Sequence, residues 1–176
     1  ATTYQDNIGG SDFTYGDADA LREPFGTWNF KLIGKKLVLL TEPVREIQPN
    51  LKPGGISIDP QIDWDVEMKY PRLGWTITPV YIVEAIPKDR GHMYSKKILY
   101  VTAPFYHSAV SQEIYLSDIY DRSGILWKCF YDWRGGKFIH KNGTYYTCDI
   151  GFSMHDLQTG HTSNMLVYFF GIDTGM

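Results

Sequence analysis

Several strand-length runs in this chain are apolar or aromatic at every position, and they constrain the fold more than any other feature. Tyr81-Ile82-Val83, Ile98-Leu99-Tyr100-Val101 and Leu166-Val167-Tyr168-Phe169-Phe170 offer no polar side to solvent. Side chains of a strand point alternately to its two faces, so an antiparallel sheet with one wet face alternates apolar with polar residues. These runs do not alternate, and both faces of the sheet they form need cover. Three covers are open: a second protein layer, as in an ordinary sandwich core, a ligand in a greasy cavity, or a partner chain.

The rest of the pattern also favours short antiparallel strands. Aromatic residues make up 15% of the chain, with 13 Tyr, and suit pleated, half-buried surfaces. The 17 Gly and 9 Pro supply turns. Residues 80–86 and 94–102 read as a hairpin around Lys88-Asp89-Arg90-Gly91, and 114–120 with 125–133 as another around Asp121-Arg122-Ser123-Gly124. Residues 145–154 and 165–170 form a third, and 29–41 one bent strand or a strand pair with Gly34-Lys35 at the bulge or turn. Residues 1–27 and 42–70 read as irregular segments, the first with a helical turn or two between Asp17 and Glu23, the second rich in Pro. The expected class is mainly β and antiparallel, with few short helices, built as an open sheet, a sandwich or a barrel. At 176 residues the chain suits a single domain over 1–176, or the C-terminal part of a larger one.

The net charge is −3 and no basic stripe appears, which argues against a nucleic-acid partner. The pairs Lys35-Lys36 and Lys96-Lys97 read as solvated strand edges, where lysine discourages edge-to-edge pairing. No apolar run approaches the roughly 20 residues of a membrane-spanning helix. The chain opens on Ala1-Thr2-Thr3-Tyr4 without a visible signal peptide, which fits a cytoplasmic protein and a processed exported one equally.

No catalytic, metal or cofactor constellation emerges. Cys129 and Cys148 flank the region of residues 138–141 that would turn the chain, a placement compatible with a cross-hairpin disulfide or with two reduced buried thiols. Of the histidines 92, 107, 140, 155 and 161, His155 and His161 flank a turn beside Asp156 but lack a recognised ligand spacing. Asp63, Asp65 and Glu67 alternate and would share a face, which a solvated strand explains with Trp64 and Val66 turned inward. Neither a Gly-x-Ser-x-Gly elbow nor a phosphate-binding glycine motif is present. Asn142-Gly143-Thr144 has the form of a glycosylation acceptor, though in a hairpin Asn-Gly is explained by its tolerance of positive φ.

Three segments in order resemble consecutive strands of one bacterial family. The stretch Trp28-Asn29-Phe30-Lys31-Leu32-Ile33-Gly34-Lys35-Lys36 is similar to its tryptophan-or-aspartate, lysine, leucine-valine, glycine, lysine-lysine strand. Val80-Tyr81-Ile82-Val83-Glu84-Ala85 followed by His92-Met93-Tyr94-Ser95-Lys96-Lys97-Ile98-Leu99-Tyr100-Val101 resembles the next hairpin, and Tyr120-Asp121-Arg122-Ser123-Gly124-Ile125-Leu126-Trp127-Lys128 the turn after it. On these residues the chain resembles the outer-membrane lipoprotein-sorting-like proteins of Gram-negative bacteria (domain of unknown function 1329), from Trp28 to Lys128 and more loosely to the C-terminus. The resemblance implies an exported protein with a lipoprotein-carrier-like fold, a strongly curved sheet forming an unclosed barrel around a hydrophobic cavity. It implies a non-enzymatic role and supplies no catalytic motif to transfer. Family members are longer and carry a signal peptide, and have an acidic residue and Trp where this chain has Thr102-Ala103-Pro104-Phe105-Tyr106. The chain is therefore expected to match the C-terminal part of a half-barrel, with an open edge covered by a missing N-terminal chain segment or an outer-membrane protein.

The function expected from these readings is a periplasmic or outer-membrane-associated carrier for lipids or other hydrophobic molecules, with no cofactor. One face of the later strands supplies the expected lining: Tyr81, Val83, Leu99, Val101, Tyr115, Trp127 and Phe169. The alternative is a structural or assembly subunit whose apolar face packs on partner chains. An enzyme built on His155, Asp156 and His161, or on the carboxylates of residues 63–67, is the third.

Overall fold

The computed structural model describes residues 3–41, 50–52, 55–57, 75–102, 114–139 and 145–166, with 41, 50–52, 55–57, 134–139, 145–150 and 166 described by their backbone alone. The strands are β1 (Trp28–Thr41), β2 (Asn50–Lys52), β3 (Gly55–Ser57), β4 (Trp75–Pro87), β5 (Tyr94–Thr102), β6 (Ile114–Asp121), β7 (Leu126–Ile139), β8 (Tyr145–Asp156) and β9 (Thr162–Leu166). Seven of them form one antiparallel sheet in the order β1-β4-β5-β6-β7-β8-β9. Among the described residues β1 and β9 are its edges, so the barrel is not closed. β2 and β3 pair separately, inside a stretch whose composition had given only loop. The carboxylates of residues 63–67, His107, His140, Asn142-Gly143 and Phe169 lie outside the described residues.

The expected hairpins form, and aspartate side chains shape their turns. Asp89 Oδ1 accepts from the Gly91 N–H, Asp121 Oδ1 from those of Ser123 and Ile125, and Asp156 Oδ1 from those of Gln158 and Thr159. Gly124 and Gly160 then take φ of 79° and 75°, a left-handed conformation that glycine enters at little cost. Gly160 closes its turn early, so β9 starts at Thr162 rather than at Met165. β1 is one strand, bulged between Leu32 and Gly34 as anticipated near Gly34.

The stretch from Asp17 to Glu23 is not helical. Asp19 and Ala20 have φ of 54° and 67°, which a right-handed helix excludes. The only helical piece described is a 3-10 turn over Phe25–Thr27. The segment before it lies on the sheet instead. Phe13, Ala20 and Leu21 are buried against a face carrying Trp28, Ala85, Leu99, Ile119, Phe130 and Met154, here called the clamped face. The ring of Phe13 meets those of Phe130 and Phe152 edge-on, with centroids 6.4 and 5.1 Å apart.

The opposite face holds its own cluster, Leu40, Val80, Ile82 and Tyr115, flanked by Val38, Ile98, Tyr100 and Leu116. Burial therefore changes sides along β4, from Thr78, Val80 and Ile82 on one face to Ala85 on the other. In β7 and β8 it holds on both faces, from Phe130 to Trp133 and from Gly151 to Asp156. The sheet also curls. Trp75 and Tyr131 have ring centroids 5.7 Å apart, although their strands are three steps apart in the sheet, roughly 14 Å if it were flat.

One lysine pair departs from the expected role. Lys35 and Lys36 are exposed on edge strand β1, but β5 is an inner strand and Lys97 is fully buried. Lys97 faces the clamped side directly under the N-terminal segment and has no route to solvent, so it needs a counter-charge.

Gly151 shows how closely β8 is packed. A β-carbon there would meet the Met165 carbonyl oxygen and come within 2.9 Å of the buried Trp133 ring. Gly151→Ala is expected to destabilise the fold by about 1–3 kcal/mol. Thermal unfolding checks this, and an unchanged midpoint would mean that the Trp133 ring yields freely.

Candidate functional site

Three acids on the N-terminal segment meet basic side chains of the sheet and its turns. Asp12 bonds His161, Asp17 bonds Lys97, and Glu23 bonds His92. Asp17 is the centre. Its Oδ1 lies 2.8 Å from Lys97 Nζ, and its Oδ2 accepts from Tyr94 OH at 2.8 Å, Thr14 Oγ1 at 2.9 Å and the Thr14 N–H at 3.0 Å. Lys97 also donates to the Ala20 carbonyl at 3.0 Å, which the left-handed backbone at Asp19 and Ala20 delivers. Burial pushes the Asp17 carboxyl up, but the Lys97 charge and the donors around it outweigh burial and hold it below the usual value. Burial, then the Asp17 charge, pushes the Tyr94 phenol well above its ordinary value.

The flanking pairs extend the clamp. Lys128 donates to the Asp12 carbonyl at 2.6 Å and sits 4.4 Å above the Trp127 ring, and burial lowers its amine below the ordinary value. His92 accepts the Tyr94 N–H at Nδ1, at 3.0 Å, so its proton sits on Nε2 and is donated to Glu23 at 3.1 Å. These groups satisfy one another and fix the segment on the sheet.

Above the segment the same face carries exposed apolar side chains. The register pairs Leu32 with Val83, Lys35 with Tyr81, Leu37 with Pro79 and Leu39 with Ile77, so all eight share the clamped face. Leu32, Leu37, Leu39 and Ile77 are 60%, 71%, 55% and 60% exposed. Together they present on the order of 400 Å² of apolar surface, comparable to the largest patch of a typical monomer, which is often functional. This strip on β1 and β4 is the candidate functional site.

The residues expected to line a cavity divide between places. Tyr81, Val83, Leu99 and Val101 share the clamped face through the pairs Tyr81 with Val101 and Val83 with Leu99. Leu99 is covered by the segment, whereas Tyr81, Val83 and Val101 are half-buried beside the strip. A register shift between Tyr100 and Val101 displaces Tyr115, which packs in the opposite cluster. Trp127 borders a shallow, open depression of about 560 Å³ with Gln5, Met93, Arg122 and Gln158, and its Nε1 donates to Asp156. Leu32, Leu37, Leu39 and Ile77 were not anticipated. Their signal was the absence of acids and the plain Leu-rich run of β1, which reads equally well as core.

The cysteines are not set opposite each other. The hairpin of β7 and β8 is centred between Ile139 and Tyr145, later than expected, so Cys129 faces His155 and Cys148 faces Gly136. At about 3.3 Å per residue the two lie roughly 23 Å apart along the ladder, too far for a disulfide. Cys129 is a free thiol donating to Asp118 at 3.4 Å, and burial, then Asp118, pushes it up to about 12. His155, Asp156 and His161 diverge: His155 Nδ1 bonds Thr162, Asp156 builds its turn, and the exposed His161 reaches Asp12.

Residues 1–168 match the sequence profile of a family described as protein of unknown function (DUF1329), widening the resemblance to include the N-terminal segment. The fold is that of a crystal structure of a Vibrio parahaemolyticus domain provisionally assigned to outer membrane lipoprotein sorting, with a TM-score of 0.57 and 16% identity. The alignment covers 98% of this chain and 53% of that one, so the chain spans about half its length. No curated protein matches.

Removing one partner of the central pair strands a buried charge. Asp17→Asn is expected to cost about 3–5 kcal/mol, with Asp17→Asn/Lys97→Met recovering much of it. Because the folded carboxyl is held low, its contribution is complete above the unfolded value of roughly 3.9 and drains as pH falls through the folded one. Denaturant titrations across acid pH check both, and equal stability of Asp17→Asn and wild type would contradict them.

Proposed function

The chain belongs to the DUF1329 family of proteins of unknown function, and from that premise we propose that it is a non-enzymatic binding protein or carrier for lipids or other hydrophobic molecules. We place its work in the periplasm, in association with outer-membrane machinery. The uncovered strip on β1 and β4 carries this reading. Leu32, Leu37, Leu39 and Ile77 stand exposed on one face of the sheet, with Lys35 between Leu32 and Leu37 and Ile77 opposite Leu39, where the clamp ends below them and β1 forms the edge. A hydrophobic molecule covering half of that surface removes about 200 Å² from water, a gross gain of about 5 kcal/mol before the cost of immobilising it. The likeness of fold to a lipoprotein-sorting-type domain supports the same reading.

The same strip also suits a structural subunit that packs on a partner chain. β1 favours this second reading, because among the described residues it is an edge strand, and an edge strand offers N–H and C=O groups to a partner's ladder. Native mass spectrometry of the protein purified from its host, followed by lipid extraction, separates the two. The carrier reading predicts a monomer with a co-purifying lipid, lost on replacing Leu37 and Leu39 by serine while the thermal midpoint stays put. An obligate complex without lipid would sink it.

A further inference from the structure

The strip is not purely apolar. β1 carries Lys31, Lys35 and Lys36 and no acidic residue. Lys31 lies opposite Glu84, whose carboxylate is 3.5 Å from Lys96. Lys35 is different. It stands on the clamped face between Leu32 and Leu37, and its ammonium is held 4.7 Å from the centroid of the Tyr81 ring, level with the strip. Among the described residues no carboxylate lies within ion-pair distance of Lys35 or Lys36. Lower on the same face Lys97 is answered by an acid of the segment. Here the face ends in an exposed cation with donors to spare.

The spacing sets a length. From Lys35 to Leu39 is four residues along β1, roughly 14 Å at about 3.4 Å per residue, close to an extended chain of about a dozen carbons. Leu37, Leu39 and Ile77 lie along that path on the same face. Resting on the hydrophobic-ligand reading above, we propose that the strip takes a single-chain amphiphile with an anionic head. The head sits at Lys35, Lys36 adds only longer-range attraction from the opposite face of the edge strand, and the tail lies over Leu37, Leu39 and Ile77. Charge complementarity selects this occupant: a neutral head forgoes the ammonium, and a cationic head is repelled by it.

Three probes of equal tail test this on the whole chain by calorimetry, below their micelle-forming concentrations: dodecanoate, dodecanol and dodecyltrimethylammonium. Dodecanoate is expected to bind about five- to tenfold more tightly than dodecanol, as one exposed charge contact allows, with the advantage shrinking at high salt. Lys35→Gln/Lys36→Gln should bring dodecanoate down to the affinity of dodecanol without moving the thermal midpoint, since both side chains are exposed. Lys88→Gln, a lysine bonded to the Gly26 carbonyl away from the strip, should leave the preference intact. Equal binding of dodecanoate and dodecanol overturns the headgroup assignment and leaves the hydrophobic-ligand reading standing. A preference lost as readily in Lys88→Gln reduces it to bulk electrostatics and overturns it too. Binding of none of the three removes both, and attachment to phosphatidylglycerol vesicles without binding of monomeric dodecanoate replaces the single-chain ligand with a membrane surface.

Discussion

Lys97 sits fully buried in the middle of a sheet, and a buried ammonium is tolerable only when an acid and further acceptors surround it. That acid comes from far upstream, on a segment with almost no regular structure of its own. The sheet and the N-terminal segment therefore need each other. The segment's backbone is bent through left-handed conformations at Asp19 and Ala20, so that Asp17 and the Ala20 carbonyl both reach the same ammonium. The aromatic contacts of Phe13 and the pairs at Asp12 and Glu23 extend from this point. How far the segment covers the clamped face is settled by where these anchors lie.

That extent leaves the clamped face unevenly covered. The opposite face of β4 is buried around Val80 and Ile82, and the lower clamped face lies under Phe13, Ala20 and Leu21. The upper clamped face receives no part of the segment, because the chain turns into β1 after the 3-10 turn and runs along the edge. Leu32, Leu37, Leu39 and Ile77 are left exposed on strands packed from the opposite face. On the proposed reading, a hydrophobic ligand meets an already exposed surface and a cation at the surface over Tyr81.

Much of the sheet was legible in the sequence because its signals are local. Hairpins follow from Asp and Gly at fixed offsets, and the two-sided apolar runs announced that both faces would call for cover, which the clamped face receives only in part. The chemistry of long sequence separation was not legible. Lys97 reads as solvent-facing beside Lys96, and only its partner 80 residues earlier, Asp17, makes it a core residue. The cysteine pairing depended on the centre of one hairpin, and a shift of a few residues moved Cys129 from Cys148 to His155. Face assignment was fragile for a related reason: one bulge beside Tyr100 sends Tyr115 to the far side from Leu99. The strip itself escaped notice because exposure is a property of what the rest of the chain fails to cover, and no residue of β1 encodes it alone.

The central claim is that hydrophobic molecules bind on the upper clamped face. Photo-crosslinking with a fatty acid bearing a diazirine on its tail, followed by peptide mapping, tests it directly. Labelling is expected to concentrate on Leu37, Leu39 and Ile77 and to be competed by unlabelled fatty acid. Labelling confined to the opposite cluster around Val80, Ile82 and Tyr100, or spread without competition over the whole surface, would contradict it.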